Sequence, residues 1–216
     1  MIITVQKPLL EIIEKIKAHS RIYIVGCAAC ATKCQTGSEE AVLKMAEELK
    51  QAGKEVAGHI VLDTPCDIRI VKKDLGRVAA ADPSLVFLVL ACGAGVQAIE
   101  KTLPNHRLYP ALDPVFTGTT ERIGIYHEFC SLCGECILDR TAGICPVTRC
   151  AKGLLNGPCG GSIGGKCEVD QERDCAWALI VDKLKRTGEL DSFFKQVIAP
   201  RTVVKLKTLN TKKKHE

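Results

Sequence analysis

The feature that most limits how this chain can fold is the concentration of cysteine between Cys130 and Cys175. This stretch has few bulky apolar residues, so it cannot bury enough side chain to build an ordinary hydrophobic core. Bonds between thiolates and metal ions are the usual alternative for holding such a segment together. Eight of the thirteen cysteines of the chain fall here: Cys130, Cys133, Cys136, Cys145, Cys150, Cys159, Cys167 and Cys175.

Length and composition bound the type of protein. The chain has 216 residues, which suits one large domain or two small ones. The sequence predicts no membrane span and no secretion signal, because its apolar runs are short and its amino terminus lacks a basic start. We therefore expect a cytoplasmic protein. Thiols stay reduced in that compartment, so thirteen cysteines indicate metal or redox chemistry in preference to disulfides.

The formal net charge of +5 does not indicate nucleic-acid binding. A four-iron cluster with four thiolates carries a charge of about −2, so three clusters would bring the total to about −1. Six of the thirty Lys and Arg residues lie in the segment 201–216. We expect that segment to be a solvated basic tail, with a weak docking arm for an acidic partner as the alternative.

Strand-like and helix-like segments alternate over residues 1–120 and predict an α/β domain. Its expected core is a small parallel sheet with flanking helices, joined by right-handed crossovers. The predicted strands are 21–26, 56–63, 84–91 and a possible fourth at 107–111, and the predicted helices are 7–18, 38–51, 68–80 and 95–101.

The second predicted domain, residues 121–200, is cysteine-rich and stapled by iron–sulfur clusters. A linker over Leu112–Thr120 is expected to precede it, because Asp113, Pro114 and Gly118 favour irregular backbone. Two C-terminal helices are predicted near its end, at 174–185 and 190–198.

Five further cysteines follow strands of the first predicted domain. Cys27, Cys66 and Cys92 each follow one of three successive strands, and Cys30 and Cys34 lie in the turn after Cys27. Because the carboxyl ends of parallel strands meet at one edge of a sheet, these loops are expected to converge. Four thiols suffice for one cluster, with Cys27, Cys66 and Cys92 as the firmest ligands. The sequence does not decide between Cys30 and Cys34.

Other interpretations of this group explain less. Single cysteines are often buried as small hydrophobic residues, but five at strand ends are not accounted for in that way. Cys27 and Cys30 have the spacing of a thioredoxin-like redox pair, which leaves Cys66 and Cys92 without a role. The spacing of Cys27, Cys30 and Cys34 also differs from that of radical S-adenosylmethionine enzymes.

The second group begins like a bacterial ferredoxin. Cys130, Cys133 and Cys136 are separated by two residues each, and a Cys-Pro pair follows at Cys145. In ferredoxins the Cys-Pro cysteine ligates the other cluster, and by that logic Cys145 and Cys150 begin a second cluster. The eight thiolates suit two four-iron clusters, but the sequence does not assign the pairing. The remaining ligands are Cys159, Cys167 and Cys175.

Zinc is the competing metal, because it also binds four thiolates and favours paired Cys-x2-Cys spacing. Three cysteines on one tight turn favour a cluster instead. The glycines around Cys159 and Cys167 fit a cluster loop, since glycine lets backbone N–H groups approach the sulfurs. A phosphate-binding loop is excluded there, because Gly165-Lys166 is followed by cysteine and no strand precedes it.

The sequence contains no recognisable catalytic constellation. Its five histidines are scattered, without an associated nucleophile or carboxylate pair. No Gly-x-Gly-x-x-Gly motif follows the first strand. Clusters without a flavin or nucleotide motif indicate electron relay, so we expect a non-catalytic subunit of an oxidoreductase.

Long motifs in both parts of the chain resemble the methylenetetrahydrofolate reductase C-terminal domain family. This family comprises the iron–sulfur subunit of the reductase of acetate-forming bacteria. The resemblance covers about residues 7 to 200. It rests on Cys30–Gly37, Ala91–Gln97, Gly143–Gly161, Gly165–Val169 and Asp174–Trp177.

The resemblance implies electron transfer to the FMN or FAD of a catalytic partner subunit, which reduces methylene- to methyltetrahydrofolate in one-carbon metabolism and acetogenesis. Ferredoxin or another module is the expected electron donor. We expect two [4Fe-4S] clusters within 130–175 and one more from 27–92. The alternative is a zinc-binding structural scaffold of a redox complex, without electron transfer. All thirteen cysteines are candidate metal ligands: Cys27, Cys30, Cys34, Cys66, Cys92, Cys130, Cys133, Cys136, Cys145, Cys150, Cys159, Cys167 and Cys175.

Overall fold

The structure is a computed structural model that describes residues 1–200. These residues form two compact units, Met1–His127 and a second that begins at Glu128. The expectations for the basic tail 201–216 lie outside the described residues. Within 1–200, none of the helices has the length and hydrophobicity needed to cross a bilayer.

The first unit contains a four-stranded parallel sheet, which confirms the α/β prediction. Its strands are β2 Arg21–Cys27, β3 Glu55–Leu62, β4 Val86–Val89 and β5 Arg107–Pro110. Their order in the sheet is β3-β2-β4-β5, and all three pairings are parallel. Every residue of the central strand β4 is buried, as expected for a strand covered on both faces.

Helices cover this sheet and complete its core. The longest in the unit, α3, begins after Ser38, whose hydroxyl accepts a hydrogen bond from the Ala41 N–H, and turns Val42, Met45 and Leu49 inward. The helices are α1 Leu9–Lys15, α2 Cys30–Lys33, α3 Glu39–Gln51, α4 Ile68–Ile70, a π-helical stretch Val71–Leu75, α5 Gly76–Ala81 and α6 Gly93–Thr102.

A second sheet in the first unit corrects the linker prediction. The segment Leu112–Thr120 lies inside a long strand, β6 (Leu112–Arg122), which pairs antiparallel with β1 (Ile2–Gln6) and adjoins β7 (Ile125–Glu128). The register shifts between Ile3 and Thr4, opposite Pro114. A proline without an N–H donor is tolerated beside such an irregularity, so the residues that suggested a linker are compatible with a strand.

The second unit has little regular structure and a small core. Its helices are α7 Pro146–Arg149, α8 Ala176–Thr187 and α9 Leu190–Phe194. Trp177 of α8 is buried against α9, where its ring is tilted against that of Phe193 at 5.6 Å between centroids. Its indole N–H donates to the Leu154 carbonyl at 3.0 Å. Residues 129–145 form turns and bends, which agrees with a segment too poor in apolar residues to form its own core.

Candidate metal centres

One group of thiols lies at the carboxyl edge of the parallel sheet. Cys27 is the last residue of β2, Cys66 lies four residues beyond β3, and Cys92 precedes α6 three residues beyond β4. The strands β3, β2 and β4 are adjacent in the sheet, so their following loops meet at one edge.

The backbone around Cys27 is fixed by several hydrogen bonds. Its N–H donates to the Gly37 carbonyl at 2.8 Å, and its own carbonyl accepts the Thr32 hydroxyl at 2.8 Å. The next residue, Ala28, donates its N–H to Leu62 at the end of β3 at 2.9 Å. These contacts close the loop between β2 and α3 and hold Cys27 at the sheet edge.

The thiols at this edge act on one another electrostatically. Burial raises the pKa of the Cys27 thiol, and the nearby thiols of Cys30 and Cys92 raise it further. The pKa of the Cys66 thiol is also raised. Partial desolvation is the largest cause, although the residue is exposed, and the thiols of Cys92 and Cys30 add to it. Mutual repulsion between thiolates keeps such a group protonated unless a cation binds.

Cys30 and Cys34 occupy different environments. Cys30 is the first residue of α2 and is an electrostatic neighbour of both Cys27 and Cys66. Cys34 is buried at the other end of α2, where its Sγ lies 3.9 Å from the Ile2 carbonyl oxygen of β1. The structure therefore brings Cys30 to the group at the sheet edge and packs Cys34 against the second sheet.

The residue after Cys66 has a structural role. Asp67 caps α4 through a hydrogen bond from the Arg69 N–H at 2.9 Å and pairs with the Arg69 guanidinium at 2.6 Å. These hydrogen bonds lower the pKa of Asp67 to about 2. Its carboxylate is therefore committed to the helix start.

In the second unit, four cysteines line one cavity of about 330 Å³. Most of the remaining lining is apolar, with Leu132 and Phe129 partly exposed at the surface. A cavity of this size walled by four soft sulfur donors fits the donor chemistry of a four-iron cluster or a zinc ion. Its thiols are those of Cys130, Cys133, Cys136 and Cys145.

The turn through Cys130 and Cys133 has a strained backbone. Leu132 has a φ of 54°, which non-glycine residues rarely adopt, and Gly134 follows with a φ of 86°. This conformation directs the Leu132 N–H to the Cys130 Sγ at 3.4 Å. Backbone N–H donation to sulfur is the interaction expected in a loop that presents thiolates to a metal.

The position of Cys145 differs from the ferredoxin-based expectation. It lines the cavity of Cys130, Cys133 and Cys136, whereas that logic grouped it with Cys150. A tight turn of the backbone before Cys145 returns the chain to this cavity. In that turn the Gly143 N–H donates to the Leu138 carbonyl at 2.7 Å, and Ala142 and Gly143 have positive φ values of 49° and 78°.

The four other cysteines of this unit differ in burial. Cys150 and Cys175 pack near Trp177, and the Cys175 N–H donates to the Gly165 carbonyl at 2.7 Å. Cys167 is half-buried and donates its N–H to the Arg173 carbonyl at 2.9 Å. Cys159 is exposed on the glycine-rich loop. Elimination leaves these four as the second candidate ligand set.

The thiols surround these sites without converging tightly. Within residues 1–200, no three His, Cys, Asp or Glu side chains are arranged so that they could hold a metal ion as they stand. Among the described residues, the buried Thr148 hydroxyl, which lies between Cys145 and Cys150 in the sequence, has no hydrogen-bond partner. Metal binding by these cysteines thus stays a prediction that the donor chemistry supports.

Three side chains that the sequence analysis did not select lie at or near these sites. Lys152 and Glu168 lie beside Cys159, whereas Thr148 is near the ligands only in sequence; each is within two residues of a candidate ligand. Their closeness to cysteine in the sequence was the one signal that could have identified them. Only the folded chain shows which of the polar residues near a cysteine contact its thiol. Among the histidines, His19 bonds to Tyr109, His59 to Glu39 and His127 to Glu121.

Fold and site together define a class of protein: an α/β unit with thiols at its sheet edge, followed by a cysteine-rich unit with a thiol-lined cavity. Residues 109–203 match the family model described as methylene-tetrahydrofolate reductase C terminal. The matched region contains the whole cysteine-rich stretch. No curated protein and no solved structure shows significant similarity to the chain.

Proposed function

We propose that this chain is an iron–sulfur electron-transfer subunit of a methylenetetrahydrofolate reductase complex, which relays electrons to a flavin-bearing catalytic subunit. The observation that carries the proposal is the cavity lined by Cys130, Cys133, Cys136 and Cys145 within the family-matched region. Four thiols that line one cavity match the donor set of a four-iron cluster.

The positions of the thiols support three ligand sets, the second of them by elimination. Cys130, Cys133, Cys136 and Cys145 would hold one centre, and a second would take the set Cys150, Cys159, Cys167 and Cys175. A third at the sheet edge would take Cys27, Cys30, Cys66 and Cys92. Clusters bound at these sites would supply one-electron transfer at low potential.

The chain's own residues would hold and shield these centres. The Leu132 N–H is placed to donate to the Cys130 sulfur. Apolar side chains such as Leu138 and Val147 limit the access of water to the cavity. The exposure of Cys130, Cys133 and Cys136 leaves one side of the site open to close approach by a partner.

Metal analysis of anaerobically purified protein tests the proposal. We expect about twelve iron and about twelve sulfide per chain if three four-iron clusters are present. Stoichiometric zinc without iron would contradict electron transfer and support the alternative, a zinc-stapled structural scaffold. The zinc scaffold is supported only by the sets of four thiols, and such sets bind zinc as well as iron–sulfur clusters.

Reconstitution with the flavin subunit tests the relay itself. The complex should pass electrons from reduced ferredoxin or a dye to the flavin, and Cys133→Ala should abolish that transfer. The flavin subunit's own dye-driven activity should be unchanged. Cys34→Ala is the matched control, because this thiol lies against β1. Reduction of methylenetetrahydrofolate by the chain alone would show that the relay proposal is wrong.

A further inference from the structure

Two charged side chains meet at the thiol of Cys159. The Glu168 Oε2 accepts hydrogen bonds from the Lys152 ammonium and, at 3.4 Å, from the Cys159 thiol. Lys152 therefore pairs with the same carboxylate oxygen that contacts the sulfur. Lys152 and Glu168 are separated by sixteen positions in the sequence, so the fold, and not local spacing, brings them together beside Cys159.

A glycine makes room for this arrangement. A Cβ atom at Gly161 would lie 1.9 Å from the Glu168 Oε2 and 2.3 Å from its Cδ. Any side chain at position 161 would therefore displace the carboxylate. The absence of a side chain at Gly161 thus leaves a space in the glycine-rich loop, and the Glu168 carboxylate fills that space.

Both side chains are charged at neutral pH. Lysine and glutamate are ionised at this pH at their ordinary pKa values, and these two side chains form an ion pair. A centre held by Cys159 would therefore have one fixed positive and one fixed negative charge beside a ligand sulfur. Both side chains are partly exposed, so solvent weakens but does not remove their effect.

We propose that Lys152 and Glu168 set, in opposite directions, the reduction potential of the metal centre that Cys159 helps to hold. The proposal rests on the proposed function, because only a redox-active centre has a potential to set. Reduction adds one electron from a low-potential donor and makes the centre more negative. Lys152 stabilises that reduced form and raises the potential, whereas Glu168 disfavours it and lowers the potential.

Redox titration of the full chain, monitored by electron paramagnetic resonance, tests this inference. Lys152→Met should move the midpoint of one reducible component to a more negative potential, and Glu168→Gln should move the same component to a more positive one. The other components should not move, and iron per chain should equal that of the wild type. High salt should reduce both shifts, because the charges are partly exposed.

Two further variants separate charge from structure. Gly161→Ala should displace the Glu168 carboxylate without changing any charge, and should shift the same component in the positive direction. Arg186→Met is the matched control for loss of a positive charge, because Arg186 pairs with Asp182 at 3.2 Å on α8. It should leave every midpoint unchanged.

The outcomes distinguish this inference from the proposed function. Shifts of equal sign, or none, in a chain whose wild type is reducible would overturn the inference alone. Loss of iron from both charge variants would also overturn it, because the pair would then build the site instead of setting its potential. A wild-type chain that contains only zinc and no reducible component would overturn the proposed function, and the inference with it.

Discussion

The carbonyl oxygen of Gly37 accepts the N–H of Cys27 at 2.8 Å, which joins the end of β2 to the residue two positions before α3. This contact requires a close approach at Gly37. A Cβ atom there would lie 2.5 Å from the Leu90 carbonyl oxygen and 2.6 Å from the Ala31 Cβ. The position of Cys27 at the sheet edge therefore depends on a glycine ten residues away in sequence.

Gly37→Ala should destabilise the first unit. The added methyl group would meet backbone and a short side chain, neither of which can move aside easily. Overpacking of this kind lowers the free energy of unfolding by about 1–3 kcal/mol. Urea denaturation followed by circular dichroism measures the change. Gly76→Ala is the control, because a Cβ at Gly76 meets nothing within 4 Å inside a helical stretch. It should stabilise the unit by about 0.5–1 kcal/mol. Equal effects of the two substitutions would contradict the close approach at Gly37.

Local sequence pattern predicted the parallel sheet because its strands carry their own signal. Val86–Val89 is a continuous apolar run, and such a run is typical of a strand covered on both faces. The second sheet has no comparable signal. β1 has only five residues, and its partner β6 is more than a hundred residues away, so their pairing depends on contacts that local periodicity does not encode.

The candidate sites show the same division. Strand ends predicted the grouping of Cys27, Cys66 and Cys92, because parallel topology alone places those loops together. The choice between Cys30 and Cys34 could not be predicted, since both lie within one turn of α2 and the position of β1 separates them. Assignment of the metal itself depends on chemistry that the fold does not determine.

Cys30→Ala and Cys34→Ala should have different effects on metal content. If the sheet-edge group holds a four-iron cluster, Cys30→Ala should lose about four iron per chain. Cys34→Ala should keep full iron content and lose only about 1 kcal/mol from reduced packing. Iron and acid-labile sulfide assays, with urea denaturation, measure both effects. Iron loss in Cys34→Ala alone would reverse the assignment of the two thiols.

Double variants test whether Cys145 shares a centre with Cys133. Each single alanine variant, at Cys133, Cys145 or Cys150, should lose about four of about twelve iron. Cys133→Ala with Cys145→Ala should lose no more than either alone, because both line one cavity. Cys145→Ala with Cys150→Ala should lose about eight, because it removes a ligand from each of two centres. The opposite pattern would favour the ferredoxin-like grouping of Cys145 with Cys150.

Metal removal should unfold the second unit before the first. The buried core of the second unit is small, formed by Trp177, Ile180, Leu184 and Phe193 with Cys175, whereas the first unit has an extensive core around its sheet. If metal binding contributes about 3 kcal/mol to the second unit, its loss raises the open population about a hundredfold. Chelation should therefore increase proteolytic cleavage between residues 129 and 174, measured by mass spectrometry of the fragments. Sites within Met1–His127 should stay protected under the same conditions. Equal protection of both units after complete metal removal would show that the second unit does not depend on metal for its stability.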